Sequence, residues 1–152
     1  MMLPRTIIVL GLTLTLLSFW TPFVQAAITE KEINALVEAL RLAAPQTGKE
    51  DDGLYSDWQI KPSNITRWSK RCLDKPLTPA QFAADDTQAR QVLACKMGEV
   101  LKEHYEASGE DELEAVKRTA AWWMTGQAES PASAYTDKVV NFYQQQLTEV
   151  TE

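Results

Sequence analysis

From Ile33 onward, the apolar residues recur at helical spacing. Ile33, Leu36, Val37 and Leu40 share one stripe, which predicts a helix to about Ala44, stopped by Pro45. Thr29-Glu30-Lys31-Glu32 has the spacing of a capping box, with the Thr hydroxyl and the Glu carboxylate each answering a free backbone N–H at its start. Ile65, Trp68 and Cys72 predict a short second helix capped by Ser63 or Asn64. Thr78-Pro79-Ala80-Gln81 repeats the start signal, with a hydroxyl cap, Pro at the first helical position and Gln at the third. Asp86 opens the longest helix, to about Ala107, with Leu93, Met97, Val100, Leu101 and Tyr105 on its buried face, and Ser108-Gly109 ends it. Another begins near Asp111, turns Leu113, Val116, Ala120 and Trp123 inward, and closes near Gly126. Tyr135, Val139, Phe142, Tyr143 and Leu147 mark the last. No strand pattern of useful length and no repeat is present. The predicted class is all-α.

The first 26 residues stand apart. Arg5 supplies a basic start, Ile7 to Trp20 is an apolar run, and Val24-Gln25-Ala26 offers small residues where a signal peptidase reads. This predicts a secretory signal peptide over residues 1–26, cleaved after Ala26, with an uncleaved anchor as the alternative, and a single domain over 27–152. The formal net charge is −6, and loss of Arg5 makes the remainder more acidic. Such a balance argues against nucleic acid and anionic lipid as partners and is neutral towards a polysaccharide. Cys72 and Cys95 are the two cysteines of the chain, and in an oxidising compartment they are expected to pair. Two cysteines and one histidine make no zinc site, and no phosphate loop, Ser/His/Asp ordering or cofactor motif is visible.

The segment from Gly53 to Trp68 is too aromatic for an idle loop and too rich in Gly, Pro, Ser and Asn for regular structure. Tyr55, Trp58, Gln59 and Asn64 are the residue types that wall a sugar or peptide site, rings stacking on apolar faces and amides supplying paired donors and acceptors. Packing of the same aromatics against the core is the plainer alternative. Trp122-Trp123 poses a similar choice: one ring belongs to the inward stripe and its neighbour, about 100° away, faces elsewhere. His104, beside Glu103, reads as a partly exposed histidine near a helix end. Asn64-Ile65-Thr66 matches a glycosylation sequon and carries little weight.

Three ordered blocks resemble one family. Gly53 to Pro62, with Gln59-Ile60, resembles the "G-x-Y-Q-I-x-P" signature of lytic transglycosylases and related lysozyme-fold muramidases, with Trp58 where Tyr is usual and two extra residues before it. Asn64-Ile65-Thr66-Arg67-Trp68 and then Leu77-Thr78-Pro79-Ala80-Gln81-Phe82 resemble the phage- and bacterial-type members. Ala120 to Gly126, followed by Ala134-Tyr135-Thr136-Asp137-Lys138-Val139, is similar to their "A-x-x-W-x-x-G … Y-x-x-K-V" ending. The set spans roughly residues 33 to 145. The resemblance implies a helical lysozyme-like fold with a glycan groove between lobes, Gln59 touching the glycan, and Trp122 or Trp123 with Tyr135 lining the groove. Peptidoglycan is the implied ligand.

Cleavage in that family needs a carboxylic acid whose pKa is raised by a desolvated pocket. Where the family carries its "Glu-Ser-Gly-Gly"-like turn, this chain reads Ala43-Ala44-Pro45-Gln46-Thr47-Gly48. The candidate acids are therefore Glu38, about 140° from Ile33 and expected to be exposed with an ordinary pKa, and Glu50 of the loop, beside Asp51 and Asp52. Three functions follow: a glycan-cleaving enzyme, a glycan-binding descendant of the fold, or a helical envelope protein whose exposed Trp and acidic loop meet a protein partner.

Overall fold

The computed structural model describes residues 27–46, 52–129 and 132–149. Among these residues six helices follow one another: α1 (Glu30–Ala43), α2 (Pro62–Leu73), α3 (Pro79–Ala84), α4 (Asp86–Ala107), α5 (Glu112–Thr125) and α6 (Ala134–Glu149). The described residues contain no strand, only one antiparallel bridge between Tyr55 and Ile60. None of these helices is long and apolar enough to cross a membrane. The signal-peptide expectation falls on residues 1–26, outside the described residues.

α1 packs between α4 and α6. Its apolar stripe is wider than Ile33, Leu36, Val37 and Leu40, because Ala35, Ala39 and Ala43 are buried too and small side chains let α4 and α6 approach. At Gly98 of α4, a Cβ would lie 3.1 Å from Ile33 Cδ1, so a side chain there would require the end of Ile33 to shift by a few tenths of an ångström. The capping box holds as the spacing predicts: Thr29 N donates to Glu32 Oε2 at 2.8 Å and the Thr29 hydroxyl accepts from Lys31 N at 3.3 Å. α6 and α5 complete the main bundle, and α2 and α3 pack on α4.

Local signals place the smaller elements. Thr78 and Gln81 form the second capping box at the head of α3. Pro62, whose fixed φ suits the first helical turn, starts α2 with Lys61 as N-cap, so neither Ser63 nor Asn64 caps it; the Asn64 amide oxygen is engaged by Arg67 instead. The buried Ser69 hydroxyl donates to Ile65 O at 2.7 Å and accepts from Leu77 N at 2.8 Å, pinning the α2–α3 connection. Cys72 and Cys95 are bonded, with Cα atoms 6.0 Å apart, joining α2 to α4.

Helix phases differ from the sequence expectation where two neighbours compete for one helix. α5 packs on both α4 and α6 and buries Ala115, Val116, Thr119, Ala120 and Ala121, leaving Leu113 41% exposed. Tyr105, Phe142 and Leu147 are half-buried at the core margin.

His104 is buried, not partly exposed, because α5 covers the last turn of α4. Its Nδ1 lies 2.9 Å from the Thr119 hydroxyl, which donates its one proton to Ala115 O at 2.8 Å, so Nδ1 must be the donor of the pair. Burial lowers the His104 pKa below its ordinary value. With the folded value below the unfolded one, the neutral ring contributes stability that is present above about pH 6.5 and is lost as pH falls below it. The difference in melting temperature between wild type and His104→Asn should therefore narrow as pH falls from neutral towards 5. A constant difference would remove His104 from the titration.

Candidate functional site

The residues from Tyr55 to Ile60 fold into a tight turn closed by two backbone bonds, Tyr55 N to Ile60 O at 3.0 Å and Ile60 N to Tyr55 O at 2.9 Å. Gln59 takes a left-handed φ of 55°, which favours glycine, and its amide nitrogen donates to Ser56 O at 3.0 Å. That leaves the Gln59 amide oxygen for another donor. The turn is fastened from below by Trp58. Its ring is only 1% exposed, and its Nε1 donates to Val37 O of α1 at 2.8 Å. Trp58 is thus a core anchor under the site and presents no open face for a sugar to stack on.

Above it lies a groove of about 510 Å³, within the roughly 300–1,000 Å³ of small-ligand clefts. One wall is the turn and the first half of α2, with Gln59, Lys61, Asn64, Arg67 and Trp68; the other is the end of α5, from Trp122 to Gly126. Gly126, at φ 79°, ends α5 in the left-handed conformation and returns its N–H to Trp122 O at 2.7 Å. The backbones of α2 and α5 do not pack closely; long rings bridge the gap. Trp68 meets Trp122 at 6.4 Å between centroids and Trp123 at 5.7 Å. The expectation that one of the adjacent tryptophans is buried and the other faces away is corrected: both are half-buried, because Trp68 touches both. The Lys96 ammonium lies 5.7 Å from the centre of the Trp122 ring.

Of the candidate binding residues, the structure gathers Gln59, Asn64, Trp122 and Trp123 around this groove, over the buried Trp58. Tyr55 and Tyr135 are not among its lining. Tyr55 is engaged by its bridge and packs on the core. Tyr135 belongs to α6, which packs on α1 and α5, away from α2; its ring lies against the core and its buried hydroxyl has no hydrogen-bond partner. Burial raises the Tyr135 pKa well above its ordinary value. Lys61, Arg67, Trp68 and Met124 also line the groove, and sequence reasoning had not singled them out for binding. The signal was available in the charge of the segment from Gly53 to Trp68, where two cations stand against the single acid Asp57.

Glu38 occupies a different place. It sits over a separate cavity of about 380 Å³ with Lys31, Asn34 and Arg90. Its side chain is 18% exposed, not open to solvent as the helical wheel suggests, because two arginines enclose it. Arg41 Nε donates at 3.0 and 3.1 Å to the two carboxylate oxygens, and Arg90 Nη1 reaches Oε2 at 2.9 Å. The Arg41 guanidinium first, then that of Arg90, holds the Glu38 carboxyl below the usual carboxylate range. A general acid needs the opposite shift. Arg90 also bonds Asp86 at 2.9 Å and lies 5.0 Å from the centre of the Trp58 ring, so Glu38 fastens α1 to α4 beneath the turn. Glu50 lies outside the described residues. Among those described, no carboxylate lines the groove and no cluster of His, Cys, Asp and Glu could hold a metal.

Comparison with family models, with curated proteins and with solved structures finds no match.

Proposed function

We propose that this protein is an exported, lysozyme-like domain that holds a glycan strand, peptidoglycan foremost, and does not cut it. The observation that carries this reading is the groove lining: stacking rings from Trp122 and Trp123, amides from Gln59 and Asn64, and no carboxylate among the described residues. Two placements support the lysozyme-like part. The groove reaches Pro45, just past the end of α1, where the resembling family carries its acid. Gln59 and the paired tryptophans, from two separate blocks of the resemblance, face the same groove. Export is supported by the disulfide, which persists in oxidising compartments.

Incubation with insoluble peptidoglycan tests both halves. The protein should sediment with the sacculi, and Trp122→Ala should weaken that association about 10-fold or more, the loss expected for one base or sugar-sized stacking surface of 1–3 kcal/mol. Mass spectrometry of the supernatant should show no released muropeptides. Release of 1,6-anhydro products would overturn the non-cutting reading and direct the search to Glu50. Failure to sediment would favour a protein partner, for which Met124, 50% exposed at the groove, would be an apolar contact.

A further inference from the structure

We propose that the groove selects glycans whose sugars carry free carboxylates, read by Lys61 and Arg67; this rests on the glycan-binding reading above. The chain as a whole is acidic, at −6, yet the groove lining among the described residues is basic. Lys61 and Arg67 line it, both are exposed, and no acidic side chain among the described residues joins them there. Four other cations do have a carboxylate within reach: Arg41 and Arg90 share Glu38, and Arg71 and Lys96 share Glu99, the last at 3.4 Å. Lys61 and Arg67 enter no ion pair among the described residues. Arg67 is also oriented, its Nη2 donating to Asn64 Oδ1 at 2.8 Å, which leaves the rest of its donor fork for a ligand.

A neutral sugar needs rings and amides, and this groove supplies them without either cation. Covering two unpaired cations with a neutral ligand would strip their water and return nothing. A carboxylate returns a charge-assisted bond, and the planar guanidinium can grip both of its oxygens at once. Because the rest of the chain is acidic, this attraction acts at contact distance and not as long-range steering. Both cations are exposed to solvent, so salt should still weaken it.

The test uses one backbone in two charge states: peptidoglycan strands freed of their peptides, with lactyl carboxylates exposed, and the same strands with those carboxylates converted to amides. At low salt the charged strands should bind about tenfold tighter, the effect of one charge-assisted contact. Raising the salt should shrink that ratio, and Arg67→Gln and Lys61→Gln should each bring it towards one. Both positions are exposed, so melting temperatures should stay at the wild-type value and serve as the folding control. Equal affinity for the two strands, or an undiminished ratio when Lys61→Gln and Arg67→Gln are combined, would overturn the charge selection while leaving glycan binding intact. Binding to neither strand would overturn both readings. Displacement of the strand by polyglutamate at equal charge concentration would overturn the selection for sugars and assign the site to an acidic polypeptide.

Discussion

Trp58→Ala is expected to lower the stability of the fold by about 3–5 kcal/mol, the cost of emptying a well-packed aromatic site. The ring is essentially sealed from solvent, it is packed in the same core as Leu36, Leu40 and Ile65, and its Nε1 carries the buried side-chain bond from the turn to α1, beside the exposed Arg41–Asp57 pair at 3.5 Å. Most of a domain's net stability is of that size, so the variant should unfold at a markedly lower denaturant concentration or fail to accumulate. Trp58→Phe separates the two contributions. It keeps most of the buried surface and loses only the bond to Val37 O, so it should cost nearer 1 kcal/mol for that bond plus a small cavity term. Chemical denaturation of both variants measures this. If alanine shifts the midpoint by less than the phenylalanine variant does, the ring is not the anchor described. A second consequence concerns the site. Gln59 keeps its left-handed backbone only while the turn is held down, so the alanine variant should lose glycan binding along with stability, whereas Trp122→Ala should lose binding alone.

That contrast between Trp58 and Trp122 also marks how far the sequence could be read. Helices and most of their caps were legible because each depends on residues near one another in the chain. The capping boxes at Thr29 and Thr78 and the stop at Pro45 are of this kind. The disulfide was legible because the chain has two cysteines; the cap of α2 was not, since Lys61 and Pro62 start that helix. Burial of individual side chains was less legible where it depends on what another helix brings. Glu38 lies off the apolar stripe of α1, and nothing local to it shows that Arg90 of α4 will close over it. His104 sits near a helix end, yet α5 buries it. Trp122 and Trp123 could not be told apart from helix phase alone, since the element that decides their environment is Trp68, some fifty residues earlier. The candidate site was legible as composition: the aromatic and amide residues were singled out, and five of them line one groove, Trp58 as its buried floor. Its charge was not, because Lys61 and Arg67 look ordinary until the fold brings both into one groove lining.

Breaking the Cys72–Cys95 bond is the other change expected to have a large effect. The bond spans 23 residues of sequence, enclosing α3, and in the chain-entropy account a loop of that length contributes roughly 3 kcal/mol by restricting the unfolded chain. The double variant Cys72→Ser, Cys95→Ser should therefore melt roughly 10 °C lower than wild type. Adding a reductant should lower the wild-type melting temperature towards that of the variant and leave the variant unmoved. A wild type indifferent to reductant would mean the bond is absent or contributes nothing. The functional effect follows from where the bond sits. Trp68 is one helical turn before Cys72 on α2, and α2 is held to α4 by the disulfide but bridged to α5 only through rings. Loosening that tie should let the α2 wall drift from Trp122 and Trp123. Glycan affinity is then expected to fall at temperatures well below the melting transition, where α1, α4, α5 and α6 remain packed. Retention of full affinity in the reduced but folded protein would show that the aromatic contacts alone hold the groove in shape.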